Sequence, residues 1–230
     1  MQAFTNTKYT KEQTIQLIQE HIEADALISG DYWNEKEKKG CHIGCLLHSV
    51  RHALSKEYYG IPELIFRLLD SIHEGLPESK RIWFFENALP SIPIGATESD
   101  FDRVWSNLAI WILTDSQYGI LQYTQEDSDQ YKAIKNIADL YQRKLDGESV
   151  SEEEFRTAAR AASAADAASA AYAAASAADA ASAAYAASAA YAAYAARAAY
   201  AARAVYAARA VYAEFWLGLS EKMISLFSDL

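Results

Sequence analysis

Proline and glycine are scarce in this chain, with four and nine among 230 residues. Tight turns and bulges draw on both, so the shortage argues against a sandwich or barrel of many short strands and favours helices. Cysteine is scarcer still. Two thiols, Cys41 and Cys45, are too few for a disulfide framework and suit a reducing cytosol. No stretch of about 18 strongly apolar residues occurs outside an alanine-rich region. That region carries Arg197, Arg203 and Arg209, each of which would cost roughly 2.5–3.5 kcal/mol at a bilayer centre, so no transmembrane span is expected. The first ten residues lack a basic patch followed by an apolar run, which disfavours a signal peptide and makes the cytoplasm the expected location.

Positive charge is also in deficit, and unevenly so. Residues 1–155 hold 15 basic and 26 acidic side chains, a net −11. Residues 156–213 carry five Arg against two Asp, and residues 214–230 return to −2. Such an acidic head repels phosphate backbones, which disfavours nucleic acid as its partner. A basic protein is better matched, although acidic surfaces also serve solubility alone.

The core-forming Leu, Ile, Phe and Trp residues lie mostly before residue 145 and after residue 214. Thr10-Lys11-Glu12-Gln13 reads as a capping box opening a first helix, with Ile15, Ile18 and Ile22 at helical spacing and Gly30 as its terminator. Asp31 to Gly40 reads as a polar loop, and a second helix is expected from near Ile43 to near Tyr58. Pro62 marks the start of a third, followed by Leu64, Ile65, Leu68, Leu69 and Ile72. Ser79 caps a short helix expected to end before Pro90. Thr97 or Ser99 opens another, carrying Phe101, Val104, Trp105, Leu108, Trp111 and Ile112. Tyr118 to Tyr123 is the one place where a short strand is conceivable, and a polar helix is expected from about Asp127 to Leu145.

From Thr157 to Ala213 nearly every third residue is Ser, Asp, Tyr or Arg, and the two between are alanine. Alanine is the strongest helix former, and no Gly or Pro occurs between Gly147 and Gly218, so a helix is expected throughout. An unbroken rod of that length would span about 85 Å. Three residues advance about 300° around a helix, so the larger side chains form a slow spiral rather than the fixed seam of a coiled coil. Whether the region is one rod or several packed helices is left open by the absence of a breaker. Beyond it, Trp216, Leu219, Met223, Leu226 and Leu230 step by three and four, an amphipathic helix suited to docking on the head or pairing with a second chain.

The densest chemistry lies between Gly40 and His52. Cys41, Cys45, His48 and His52 step by four, three and four, which places them on one face if a single helix includes all four. One zinc ion could not use the whole set, because positions 41 and 52 would lie about 16 Å apart along the axis. A subset of Cys41, Cys45 and His48 could chelate with help from elsewhere. A thiol reading makes Cys45 the nucleophile, with its pKa lowered in a first helical turn and His48 or His52 as base, His73 being a third candidate. Against both stands a plainer reading in which the Cys/His face packs in the core, where free cysteines behave as small hydrophobes. Farther on, Tyr200, Arg203, Tyr206, Arg209 and Tyr212 alternate every third residue with Arg197 before them, a spacing at which Arg–Tyr stacking is expected and which makes them the candidate partner-binding residues.

Gly40-Cys41-His42-Ile43-Gly44-Cys45, followed by Tyr59-Gly60-Ile61-Pro62 and Glu74-Gly75-Leu76-Pro77, resembles a pattern of a bacterial and phage family that ends in alanine-rich triplets and carries no assigned activity. The Ala/Tyr/Arg triplets running into an amphipathic end are similar to the tails of immunity proteins from bacterial polymorphic-toxin systems. That resemblance implies neutralisation of a toxin by binding it.

The sequence thus predicts an all-α protein: a helical head over residues 1–125, an acidic connecting helix over 126–155, an alanine-rich helical region over 156–213 and an amphipathic C-terminal helix over 214–230. The expected function is non-enzymatic protein binding of an immunity or antitoxin kind, with a basic protein or a toxin as partner and no cofactor. The alternatives are a thiol- or metal-dependent enzyme centred on Cys45 and His48, and a structural spacer or oligomerisation protein.

Overall fold

The computed structural model describes residues 1–28, 33–49, 51–164 and 209–230. The chain is predominantly helical, an all-α fold with one small two-stranded sheet among the described residues. It divides into two compact units, one formed by residues 1–102 with 216–230, the other by residues 103–215.

In the first unit, α1 (Lys11–Glu23) begins where the capping box places it. The Thr10 hydroxyl accepts from the Gln13 amide, and the Gln13 side chain accepts from the Thr10 amide. The helix ends at Ala24, well short of Gly30. The chain then turns at Asp25, whose φ is 50°, and the stretch expected to be a loop forms a hairpin. Strand β1 (Trp33–Asn34) pairs antiparallel with β2 (Lys39–Gly40). The Asn34 side chain ties the turn by accepting from the amides of Lys36 and Glu37.

The second expected helix is broken in two. Helix α2 (His42–Leu47) stops at His48, which adopts a left-handed conformation with φ 47° and ψ 39°. Helix α3 (Leu54–Tyr59) follows after a turn in which Ser49 Oγ accepts from the Arg51 amide. Such side-chain-to-backbone bonds compete with helix continuation, and a periodic pattern does not register them. Gly60, at φ 69°, ends α3 where the backbone of Gln2 leaves no room for a Cβ. The N-terminal strap of the chain is hydrogen-bonded there, from the Phe4 amide to the Tyr59 carbonyl at 2.8 Å.

Helix α4 (Glu63–Gly75) follows Pro62 and buries Ile65, Phe66, Leu68, Leu69 and Ile72 on one face. Helix α5 (Glu78–Ser91) starts at Pro77 rather than Ser79, and it continues through Pro90. A proline in the last turn forfeits a single backbone bond, and Ser91 compensates locally by donating to the Ala88 carbonyl. Helix α6 (Glu98–Thr114) is opened by Thr97, whose hydroxyl accepts from the Asp100 amide at 3.3 Å and donates to the Asp100 carboxylate.

The C-terminal part of the last helix, α9 (Arg209–Ser228), completes this first unit. Trp216, Leu219, Met223 and Phe227 are fully buried. Trp216 covers Gly75, and Phe227 meets Phe101 edge-on with ring centroids 6.4 Å apart. The buried face thus turns onto Phe227, leaving Leu226 and Leu230 half-buried.

In the second unit, the stretch from Tyr118 to Tyr123 is no strand. It is a turn followed by a 3₁₀ helix at Ile120–Tyr123, held by Asp115 accepting from the amides of Gln117 and Tyr118. Helix α7 (Asp129–Leu145) is capped by Ser128 and packs on α8 (Glu152–Ala164). Trp105, Tyr141 and Phe155 form the aromatic centre of this unit. Most of the alanine-rich region, residues 165–208, lies outside the described residues, and with it the rod or packed helices expected there.

Candidate functional site

The Cys41 region is positioned by the hairpin. Gly40 in β2 donates its amide to the Ala26 carbonyl and accepts from the Ile28 amide at 2.9 Å. This lashes the end of the hairpin to the segment leaving α1. Cys41 then emerges in an extended conformation as the N-cap of α2, with the Gly44 amide donating to its Sγ at 3.5 Å.

Across from it, α4 presents Asp70 and Glu74 one turn apart. The Cys41 thiol donates to Asp70 Oδ1 at 3.1 Å. The ligating atoms of Cys41, Asp70 and Glu74 all lie within 4.8 Å of one another. His52, which is 5% exposed, brings its Nε2 to 3.6 Å from the other Asp70 oxygen. Burial, reinforced by the neighbouring Asp70 carboxylate, pushes the Cys41 thiol far above its ordinary range. The group is therefore a thiol, two carboxylates and an imidazole, drawn from three separate segments.

Cys45 sits one helical turn away and serves a different purpose. It is fully buried, and its thiol donates to the carbonyls of Gly40 at 3.4 Å and Ala26 at 3.6 Å. Burial pushes its pKa up to about 12, which keeps it a thiol near neutral pH. A nucleophile needs the opposite shift.

His48, at the left-handed turn that ends α2, is exposed. His48 stacks on Trp33, with centroids 4.4 Å apart, and its Nε2 stands 2.9 Å from Nε2 of His21. Burial and His48 lower the His21 pKa, against a hydrogen bond to the Cys45 carbonyl that raises it. Burial lowers that of His48 as well, against the pull of Glu35. His42 is wholly buried between His73, Phe84 and Phe85, and neither of its ring nitrogens has a hydrogen-bond partner among the described residues. Burial holds it neutral, and burial with the charge of Arg81 lowers His73 to about 4.

The residues singled out from sequence are therefore split. Of Cys41, Cys45 and His48, only Cys41 joins a group of ligating atoms among the described residues, and the members added are Asp70 and Glu74. Of Cys45, His48 and His52, only His52 approaches that group, through Asp70. Periodicity around the cysteines could not reveal Asp70 or Glu74, which lie on another helix. Their one signal was the i, i+4 carboxylate pair running into Glu74-Gly75-Leu76-Pro77. Tyr200, Arg203 and Tyr206 fall outside the described residues, as do the side chains of Arg209 and Tyr212. An open pocket of about 800 Å³, lined by Met1, Gln2, Thr5, Asn6, Lys56 and Glu57 among others, contains no Cys or His.

Comparison of the chain with protein-family models, with curated proteins and with solved structures finds no match. Among the described residues no helix is long and apolar enough to cross a membrane.

Proposed function

We propose that the protein is a non-enzymatic binding module whose partner is a basic protein, in the manner of an immunity protein that neutralises a toxin by contact. The observation that carries this reading is the charge of the first unit. Residues 1–102 and 216–230 hold 11 basic and 18 acidic side chains, a net −7. Glu12, Glu20 and Glu23 of α1 and Glu78 and Glu86 of α5 are exposed on two helices that pack together. A field of one sign steers an oppositely charged partner into encounter and suppresses others, and salt screens it. The buried thiols of Cys41 and Cys45 and the buried imidazoles of His42, His52 and His73 support the same reading, because they leave the exterior as the working surface. The likeness of the tail to polymorphic-toxin immunity proteins favours a toxin as the partner.

The test is capture from the native host with the full chain as bait, at low and high salt. A basic protein is expected, released by salt and bound at least tenfold more weakly when Glu12→Lys, Glu20→Lys and Glu23→Lys are combined. Capture of nothing, or capture indifferent to salt and to charge reversal, overturns the proposal.

A second reading, a thiol- or metal-dependent enzyme, has one observation in its favour: the convergence of Cys41, Asp70 and Glu74. That convergence supports its metal half, and the state of Cys45 disfavours its thiol half.

A further inference from the structure

The convergence on α4 carries more than a packing role. Asp70 and Glu74 are one turn apart on the same face of α4, and Cys41 and His52 reach toward that face from α2 and from the turn before α3. Like charges at this helical spacing repel and destabilise the helix that bears them. Sulfur, carboxylate and imidazole are moreover the donor types that bind borderline transition metals. Calcium and magnesium select oxygen alone, in larger or octahedral sets.

We infer that Cys41, Asp70 and Glu74 form a binding site for a zinc-class divalent cation, with His52 as the residue that orients Asp70. In a tetrahedral zinc site the ligand atoms stand about 3.3–3.7 Å apart, given metal–sulfur and metal–oxygen lengths of about 2.3 and 2.0–2.2 Å. The three donor atoms lie within 4.8 Å of one another, and Cys41 Sγ is 3.1 Å from Asp70 Oδ1. Opening the Cys41–Asp70 pair by about half an ångström and closing the wider separations by about 1 Å brings the set onto a common ion. The hydrogen bond from the Cys41 thiol to Asp70 is the arrangement a cation would replace: the thiol proton leaves to solvent and sulfur and oxygen both turn to the metal. Amide donation from Gly44 to the sulfur would remain, as outer bonds to ligating atoms do in metal sites. His52 facing the second oxygen of Asp70 fits the same pattern. Three protein donors leave a fourth position for water or for a group of a partner.

Cobalt titration of the full chain tests the assignment, because a thiolate bound to Co²⁺ gives a charge-transfer band in the near ultraviolet. One equivalent per chain is expected, with the band lost in Cys41→Ser and kept in Cys45→Ser. Asp70→Asn and Glu74→Gln should weaken binding at least tenfold, and His52→Gln by tenfold or more through loss of orientation. Should Cys41→Ser fail to fold by circular dichroism, the two carboxamide variants decide. No band with the parent chain, a band removed by Cys45→Ser but not by Cys41→Ser, or unchanged affinity in both Asp70→Asn and Glu74→Gln overturns the site.

Discussion

Each reactive side chain in the Gly40–His52 stretch is governed by what surrounds it. Cys41 and Cys45 differ by four positions and share a short helix, yet one thiol faces a carboxylate and the other two backbone carbonyls. The paired imidazoles of His21 and His48 give a further test at this scale. Their pKa values are lowered chiefly by burial, with Glu20 and Glu35 acting to raise them and Lys8 and Lys38 to lower that of His48. A histidine whose folded pKa lies below its unfolded value binds fewer protons folded than unfolded in the window between the two. Its stabilising effect is therefore complete above about pH 6.5 and is lost as pH falls through the folded values. Thermal melts should show a Tm that is flat above about pH 7 and declines on acidification. His21→Leu should make that decline shallower; a Tm that rises with acid would contradict the pairing.

At the scale of the element, local signals placed most helices correctly, and tertiary contacts moved several of their ends. Thr10 caps α1 as its spacing indicates, and Thr97, one of two candidates, opens α6, because capping is a matter of a few neighbouring atoms. The break at His48 was not legible, since its imidazole is held by Trp33 and His21, 15 and 27 positions away. The same distance in sequence hid Asp70 and Glu74 from the cysteine motif. Gly75 shows the reverse case. A methyl group there would fall on the ring-fusion atoms of the Trp216 indole. Gly75→Ala should cost roughly 2 kcal/mol by overpacking, read from chemical denaturation. In a Trp216→Leu background the same change should cost much less, since the two positions are in contact. Additive effects would place Trp216 elsewhere.

At the scale of the whole molecule, the first unit is closed by chain from both ends of the sequence. Residues 216–230 supply Trp216, Leu219, Met223 and Phe227 to its interior. Burying a side chain of this size contributes roughly 1.5–3 kcal/mol, so the four together rival the stability of an ordinary domain. Ending the chain after Phe215 should abolish the cooperative unfolding transition of residues 1–102, followed through near-ultraviolet circular dichroism. Retention of a sharp transition at an unchanged midpoint would show that the N-terminal residues are self-sufficient.

The sequence by itself determined the helical class, the acidity of the head and most helix starts. Propensity, charge and capping act over a turn or two, so the residues concerned are adjacent in the chain. Only the tertiary structure decided that α2 ends at His48, that Cys45 is a core thiol, and that Cys41 meets Asp70 and Glu74. Those outcomes depend on which distant surfaces become neighbours once apolar faces are buried, and no periodicity within one segment encodes that choice.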